Sequence, residues 1–197
     1  LDGRTGRIMW SVVLGTNRVD FLNAVAVSPD GESVYVGGQT YGDFNKTIAG
    51  KSDAWIAELD AFDGSRRWVA QFGELGRDDL NALVVAPDGD VVAGGADHAA
   101  HGVDVARAGA KPQRQYHGKA RGHHEWVTGV AHCGGRSVAT CGADGRLCLW
   151  RSPHACEELV TADGAASLSV LLADAARPQL LLAAGYDGTA RLFDVGG

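Results

Sequence analysis

The residues of this chain whose types and spacing could do chemistry are four cysteines, a histidine pair and a run of basic side chains. Cys133, Cys141, Cys148 and Cys156 fall within one short region. Structural zinc sites use close C-x2–4-C pairs, and no two of these cysteines are spaced that way. Two of them sit in strand-like apolar segments and read as small core residues of a reducing compartment, with a disulfide in a secreted form as the alternative. His98 and His101 form an HxxH in what reads as a loop, with no nearby cysteine and no convincing carboxylate, so solvated histidines are expected there and no metal. Between Ala106 and His124 no acid occurs, while Arg107, Lys111, Arg114, Lys119 and Arg121 supply five positive charges and the remaining residues carry 13 basic against 24 acidic groups. That asymmetry suits an acidic or phosphorylated partner, and it equally suits a solvated outer strand. The overall pI near 5.6 argues against general nucleic-acid binding. Neither a G-x-S-x-G elbow, an H-E-x-x-H helix nor a P-loop is present, and no carboxylate pair stands out. A non-enzyme that needs no cofactor is the expectation.

The elements that would position these residues are short and β-rich. A hydrophobic content of 45% with 21% charged residues is that of a globular chain. The longest apolar run, around 167–172, is strand-sized and far below the roughly 18–20 residues a membrane helix needs, so no membrane partner is expected. The opening LDGRTGRIMW lacks the basic and apolar regions of an export signal and reads as the middle of a repeat already under way, as in a piece of a longer product. An internal repeat carries the architecture. At an offset of 58 residues, Leu1 falls on Leu59, Asp2 on Asp60, Trp10 on Trp68, Gly15 on Gly73, Asn23 on Asn81, and Pro29-Asp30-Gly31 on Pro87-Asp88-Gly89. A one-residue slip then brings Gly37-Gly38 onto Gly94-Gly95.

Segments such as NAVAVSPDG, SVYVGGQT, DAWIAELDA and RRWVAQFG are rich in Val and aromatics and are separated by Asp-Gly dipeptides, which begin at Asp2, Asp30, Asp63, Asp88, Asp144, Asp163 and Asp187. Such pairs supply the positive φ of tight hairpin turns. Repeats of all-β units at this period imply an all-β propeller of four-stranded antiparallel blades, with about four blades present in one region spanning 1–197. The units run approximately over 20–78, 79–121, 122–163 and 165–197. The last stops after its third strand, and a partial unit in 1–15 ends in a strand at Trp10. Pairing of the first and last segments would close a ring and remove two exposed sheet edges. The stretch 173–177 is the one place with short helical character.

The phrases GHHEWVTGV and SVATCGADGRLCLW resemble the WD-repeat family, and the likeness extends over about 120–197. The family's pattern places Gly-His before the first strand, a hydroxyl in the second, Asp in the turn and Trp at the end of the third. Gly122-His123, Thr140, Asp144 and Trp150 fill these places. The resemblance implies a buried chain of hydrogen bonds in which His123 bridges Asp144 and Thr140, and Thr140 reaches the Trp150 indole, a structural role and not a catalytic one. In LLLAAGYDGTARLFD, Asp187 keeps the turn, Ala183 takes the hydroxyl place and Phe193 the Trp place, leaving Asp187 to solvent or backbone N–H groups. The first half, 1–121, is similar to Trp- and Asp-Gly-rich bacterial-type surface propellers and more loosely to quinoprotein propellers.

Strand interiors in a propeller are consumed by packing, so recognition falls to end loops and outer edges. Trp10, Trp55, Trp68 and Trp150 are expected in strands as core. Trp126, beside His124 just after the Gly-His, is expected at a surface shared with Arg146 and Tyr186, with the basic 107–121 segment on the outer edge as a separate candidate. The expected function is a non-enzymatic protein-interaction scaffold in the cytoplasm. A quinoprotein-like propeller enzyme, or an extracellular structural or adhesive repeat protein, is the alternative.

Overall fold

A computed structural model of the chain describes residues 5–97, 100–103, 112–116, 122–152, 154–159, 166–174 and 176–196, with the backbone alone for 103 and 112–116. Its regular structure is entirely β: fifteen strands in four antiparallel sheets, with no helix among the described residues. The first sheet is β1 (Asp20–Val27), β2 (Ser33–Thr40), β3 (Asp53–Asp60) and β4 (Arg66–Phe72), in chain order. β5 (Leu80–Val85), β6 (Val91–Gly95), β7 (Ala100–Val103) and β8 (Pro112–Tyr116) form the second. The third is β9 (Val127–His132), β10 (Val138–Gly142), β11 (Leu147–Ser152) and β12 (Ala155–Leu159). The fourth has three strands, β13 (Leu168–Ala173), β14 (Leu180–Gly185) and β15 (Ala190–Asp194). Each sheet is a blade, and the blades stack through their first strands, β1 on β5, β5 on β9 and β9 on β13.

The hairpin turns follow from one local device. Gly31, Gly64, Gly89, Gly145 and Gly188 all take φ between 73° and 89°, while Gly3 and Gly164 of the other two Asp-Gly pairs lie outside the described residues. In all five turns the preceding aspartate's Oδ1 accepts the N–H two residues on, from Glu32, Ser65, Asp90, Arg146 and Thr189. The carboxylate closes the turn while glycine takes the left-handed conformation that a side chain would resist.

Blades pack through apolar faces set by the period-two alternation of their strands. Ala24, Ala26 and Tyr35 of the first blade meet Leu80, Leu83, Val91 and Ala93 of the second. Val84 and Val92 of the second meet Val130, Val138 and Trp150 of the third. Ala131, Ala139 and Leu149 of the third meet Leu168, Leu171 and Leu181 of the fourth. A polar bond repeats at each junction. Asn23 Nδ2 donates to the Leu80 carbonyl at 2.9 Å, Asn81 Nδ2 to Val127 at 3.2 Å, and Thr128 Oγ1 to Leu168 at 2.5 Å. The repeated glycines serve the same contact, since a Cβ on Gly94 would fall 2.5 Å from Val127 Cγ1 and one on Gly37 2.9 Å from Leu80 Cδ1.

The N-terminal segment departs from expectation. Residues 7–14 belong to no strand, and Trp10 is therefore not a strand residue. Instead of pairing with the last blade, the segment lies over the outward face of the first. Trp10 Nε1 donates to the Ala61 carbonyl at 2.9 Å, and Trp10 and Leu14 pack on the cluster of Val36, Trp55, Ala57 and Leu59. Among the described residues no sheet joins the first and last blades, so the ring closure that such a pairing would give is not seen there. Two smaller corrections apply. Ala173 ends β13, Asp174 Oδ1 accepts the Ala176 N–H, and no helix lies among the described residues of the 173–177 stretch. His101 sits in β7 and not in a loop, its ring paired with Asp97, the carboxylate partner that had not been recognised. His98 lies outside the described residues.

Candidate functional site

The third blade holds one continuous polar chain in its interior. The Trp150 indole N–H donates to Thr140 Oγ1 at 2.8 Å, Thr140 Oγ1 lies 2.8 Å from His123 Nε2, and His123 Nδ1 lies 3.0 Å from Asp144 Oδ1. The ends fix the direction, because an indole can only donate and a carboxylate only accept. The hydroxyl therefore donates to Nε2, and Nδ1–H donates to Asp144. Asp144 also accepts the backbone N–H groups of His124 at 2.8 Å and Arg146 at 3.1 Å. Burial pushes the Asp144 carboxyl up, but the bond from His123 and those from the two backbone amides outweigh it and hold its pKa below the ordinary value.

Hydroxyl, imidazole and carboxylate in line are also the parts of a nucleophilic triad. Burial decides against that chemistry here. Thr140 and Trp150 are each 1% exposed, and the threonine oxygen is already committed to the indole. The chain fixes the register of β9, β10 and β11. Corresponding hydroxyl places in the other blades hold Val36, Ala93 and Ala183, so those blades have apolar packing there and no orphaned partner. In the fourth blade Asp187 accepts from Arg191 Nη2 at 2.6 Å, from the Thr189 N–H at 3.0 Å and from the Thr189 hydroxyl at 2.8 Å. Arg191 and then these bonds hold its pKa down to about 2.

The surface candidates gather at one end of the blades. A repeated backbone bond marks that end, running from Tyr41 to Val19, Ala96 to Asp79, Ala143 to Trp126 and Tyr186 to Ser167. Trp126 in the third blade and Tyr186 in the fourth thus stand at successive copies of one loop pairing. Trp126 is 42% exposed and Tyr186 83%. Arg146 Nη1 donates to the Gly122 carbonyl at 2.9 Å and lies 3.4 Å from His124 Nε2, which joins those two side chains beside Asp144. Among the described residues no contact joins Trp126 to Tyr186, so they share an end and not a contact.

Two elements of this end escape sequence reasoning. Arg77 lies over the Trp126 ring, 5.3 Å from its centroid, and its Nε bonds to Asp79. Asp79 is 4% exposed and accepts the Ser52 hydroxyl at 2.8 Å. Neither residue lies in a motif, and the cation and the indole come from different blades. Of the basic segment, Arg114 falls in β8, the outer strand of the second blade. Arg107, Lys111, Lys119 and Arg121 lie outside the described residues. No disulfide joins any of the four cysteines. No cluster that could hold a metal occurs among the described residues.

A family model for the WD40 repeat (WD domain, G-beta repeat) matches residues 112–151. The chain carries a WD40 repeat within a β-propeller. Among solved structures it is similar to the WD40 β-propeller domain of Doa1, with a TM-score of 0.65 at 17% identity over 95% of this chain. The WD40 match falls on the blade that holds the His123 chain, and the propeller likeness spans all four blades. The chain spans 53% of the Doa1 chain, about half its length. It is also similar to the computationally designed Ika4 protein, with a TM-score of 0.61 at 19% identity, covering 97% of this chain and 99% of that one. A search of the curated proteins returns no match.

Proposed function

We propose that this WD-repeat propeller is a rigid, non-enzymatic scaffold whose protein partners dock on the end that carries Arg77, His124, Trp126, Arg146 and Tyr186. One observation carries the reading. Trp126 is left substantially exposed yet is held in place, its ring under Arg77 and its carbonyl bonded to the Ala143 N–H at 2.9 Å. An aromatic ordered before binding loses little freedom on binding, and Trp, Tyr and Arg are the types most often found as hot spots. WD40 propellers in general bind other proteins, which supports the same class.

A reducing compartment such as the cytoplasm, where the four cysteines stay thiols, goes with this reading. The basic stretch around β8 is a second, separate contact for an acidic or phosphorylated partner. Affinity capture with wild type and with a Trp126→Ala/Tyr186→Ala double variant tests the main surface. Proteins recovered by wild type should be lost from the variant while its circular dichroism is unchanged. Equal recovery by both would overturn the assignment.

A further inference from the structure

One face of the third blade brings two of the four thiols together. The ladder between β11 and β12 places Cys148 opposite Glu158 and Trp150 opposite Cys156. Side chains two apart along a strand share a face, so the two cysteines stand on one side of the sheet, on a diagonal across neighbouring strands. Diagonal neighbours of an antiparallel pair reach each other. The two thiols are in hydrogen-bonding contact, and both pack with Trp150 in the cluster between the second and third blades. The other two cysteines are differently placed. Cys141 belongs to the cluster shared with the fourth blade, and Cys133 packs against that same cluster. Cys141 stands opposite Gly129 while Cys133 bonds to Ser137, which separates them by roughly 13 Å along the strands.

The two sulfurs differ in access. Cys148 is 0% exposed and lies opposite Thr140 of β10, so it is enclosed on both sides. The Cys156 sulfur, and then burial, push the Cys148 thiol well above its ordinary value, and it keeps its proton in the resting protein. Cys156 is half-buried on β12, the outermost strand of its sheet, which pairs with β11 alone. The ladder also slips between Trp150 and Ser152, right beside Cys156, and a bulge of this kind loosens the pairing locally. Diagonal Cα atoms sit about 7–8 Å apart, just beyond the roughly 4.4–6.8 Å that a disulfide spans. A small inward shift of β12 closes that gap, and an edge strand with a bulge is free to make it. A bond formed at such a stretch is readily reduced again.

We infer that Cys148 and Cys156 form an oxidative modification site, a thiol pair that a small disulfide of the glutathione type converts reversibly into a bond joining β11 to the outer strand β12. Cys156, the accessible member, gives up its proton and attacks one sulfur of the small disulfide, whose S–S bond breaks and releases one small thiolate. Cys148 then gives up its proton and attacks the Cys156 sulfur, breaking the mixed disulfide and releasing the second small thiolate. The two protein thiols are oxidised, the small disulfide is reduced to two thiols, and these take up the two protons. The product is a covalent clip across the rim of the third blade, beside the bond from Trp150 to Thr140. In a reducing compartment the pair rests as thiols and closes only when the surrounding thiol pool turns oxidising. The inference does not depend on the Trp126 surface.

Incubation of the folded 197-residue chain with oxidised glutathione, then alkylation in denaturant, trypsin and mass spectrometry, tests it. Trypsin cuts after Arg151, between the two cysteines, so the bond appears as one linked pair of peptides. Alkylatable thiols should fall from four to two, with Cys148 and Cys156 in that pair, and dithiothreitol should restore all four. Four thiols retained, glutathione left on Cys156, or a link to Cys133 or Cys141 would overturn the site. Cys148→Ala should halt at a mixed disulfide on Cys156, and Cys156→Ala should leave Cys148 unmodified while circular dichroism is unchanged. Glutathione on Cys148 in the second variant would overturn the order of attack. The four cysteines are spaced eight, seven and eight residues apart, so an unfolded chain has little reason to prefer one neighbouring pair. The same reaction in denaturant should therefore scatter the links, and equal selectivity there would mean that the fold does not select the pair.

Discussion

At the scale of single residues, the His123 chain shows what a local pattern can and cannot disclose. Gly122-His123, Thr140, Asp144 and Trp150 all belong to one blade, so their spacing along the sequence already implies their meeting in space. Arg77 and Trp126 are 49 positions apart on different blades, and Asp79 is buried against Ser52 on a third element; no linear spacing encodes such contacts. Replacing Asp144 by Ala strands the His123 Nδ1–H and two backbone amides, and should lower unfolding free energy by about 1–3 kcal/mol in reversible denaturation. Because the carboxyl is held below its ordinary value, the stabilisation is fully present above the unfolded pKa of about 3.9 and is lost as pH falls through the lower folded value. The stability gap between wild type and Asp144→Asn should accordingly be constant near neutrality and shrink only below about pH 4. A gap that shrinks on the alkaline side instead would contradict the assignment.

At the scale of elements, the strands and turns were legible because each is specified locally, by alternation and by the Asp-Gly pair. Trp10 shows the limit. Its segment aligns with β4 at the 58-residue offset through Trp10 and Trp68, yet a strand exists only where a neighbour accepts its ladder, and residues 7–14 have none among the described residues. His101 errs in the opposite sense, since two glycines and several alanines around it disguised β7 as a loop. The paired glycines after the second strand were visible as a repeat, but their reason was not. Gly38 lies against the bulge of β1 so closely that a Cβ would fall 1.9 Å from the Phe21 carbonyl oxygen. Gly38→Ala must push β1 from β2 and should cost about 1–3 kcal/mol or more, read from the denaturation midpoint. Gly31→Ala, which meets no atom but sits at φ 74°, should cost less, so the ordering of the two variants separates crowding from conformational strain.

At the scale of the whole molecule, composition and repeat period were enough for a propeller and for the count of blades, including the short last one. Closure was not legible, because it depends on the curvature summed over four junctions, to which no single segment testifies. Pairing of the first and last segments was one way to close a ring, and among the described residues no sheet joins them.

The arc has a consequence for the order in which the molecule comes apart. Among the described residues each blade packs on its sequence neighbours, so the two middle blades are braced on both sides and the end blades on one. Opening free energies should then fall off outward from the middle, as in a row of dominoes leaning on each other. Amide hydrogens of β6 and β10 should exchange with deuterium slowest and those of β2 and β14 markedly faster, with the fast end set by which terminal blade has the weaker junction. Uniform protection across all four second strands would mean that the blades melt as one body, and the picture of a linear stack would be wrong.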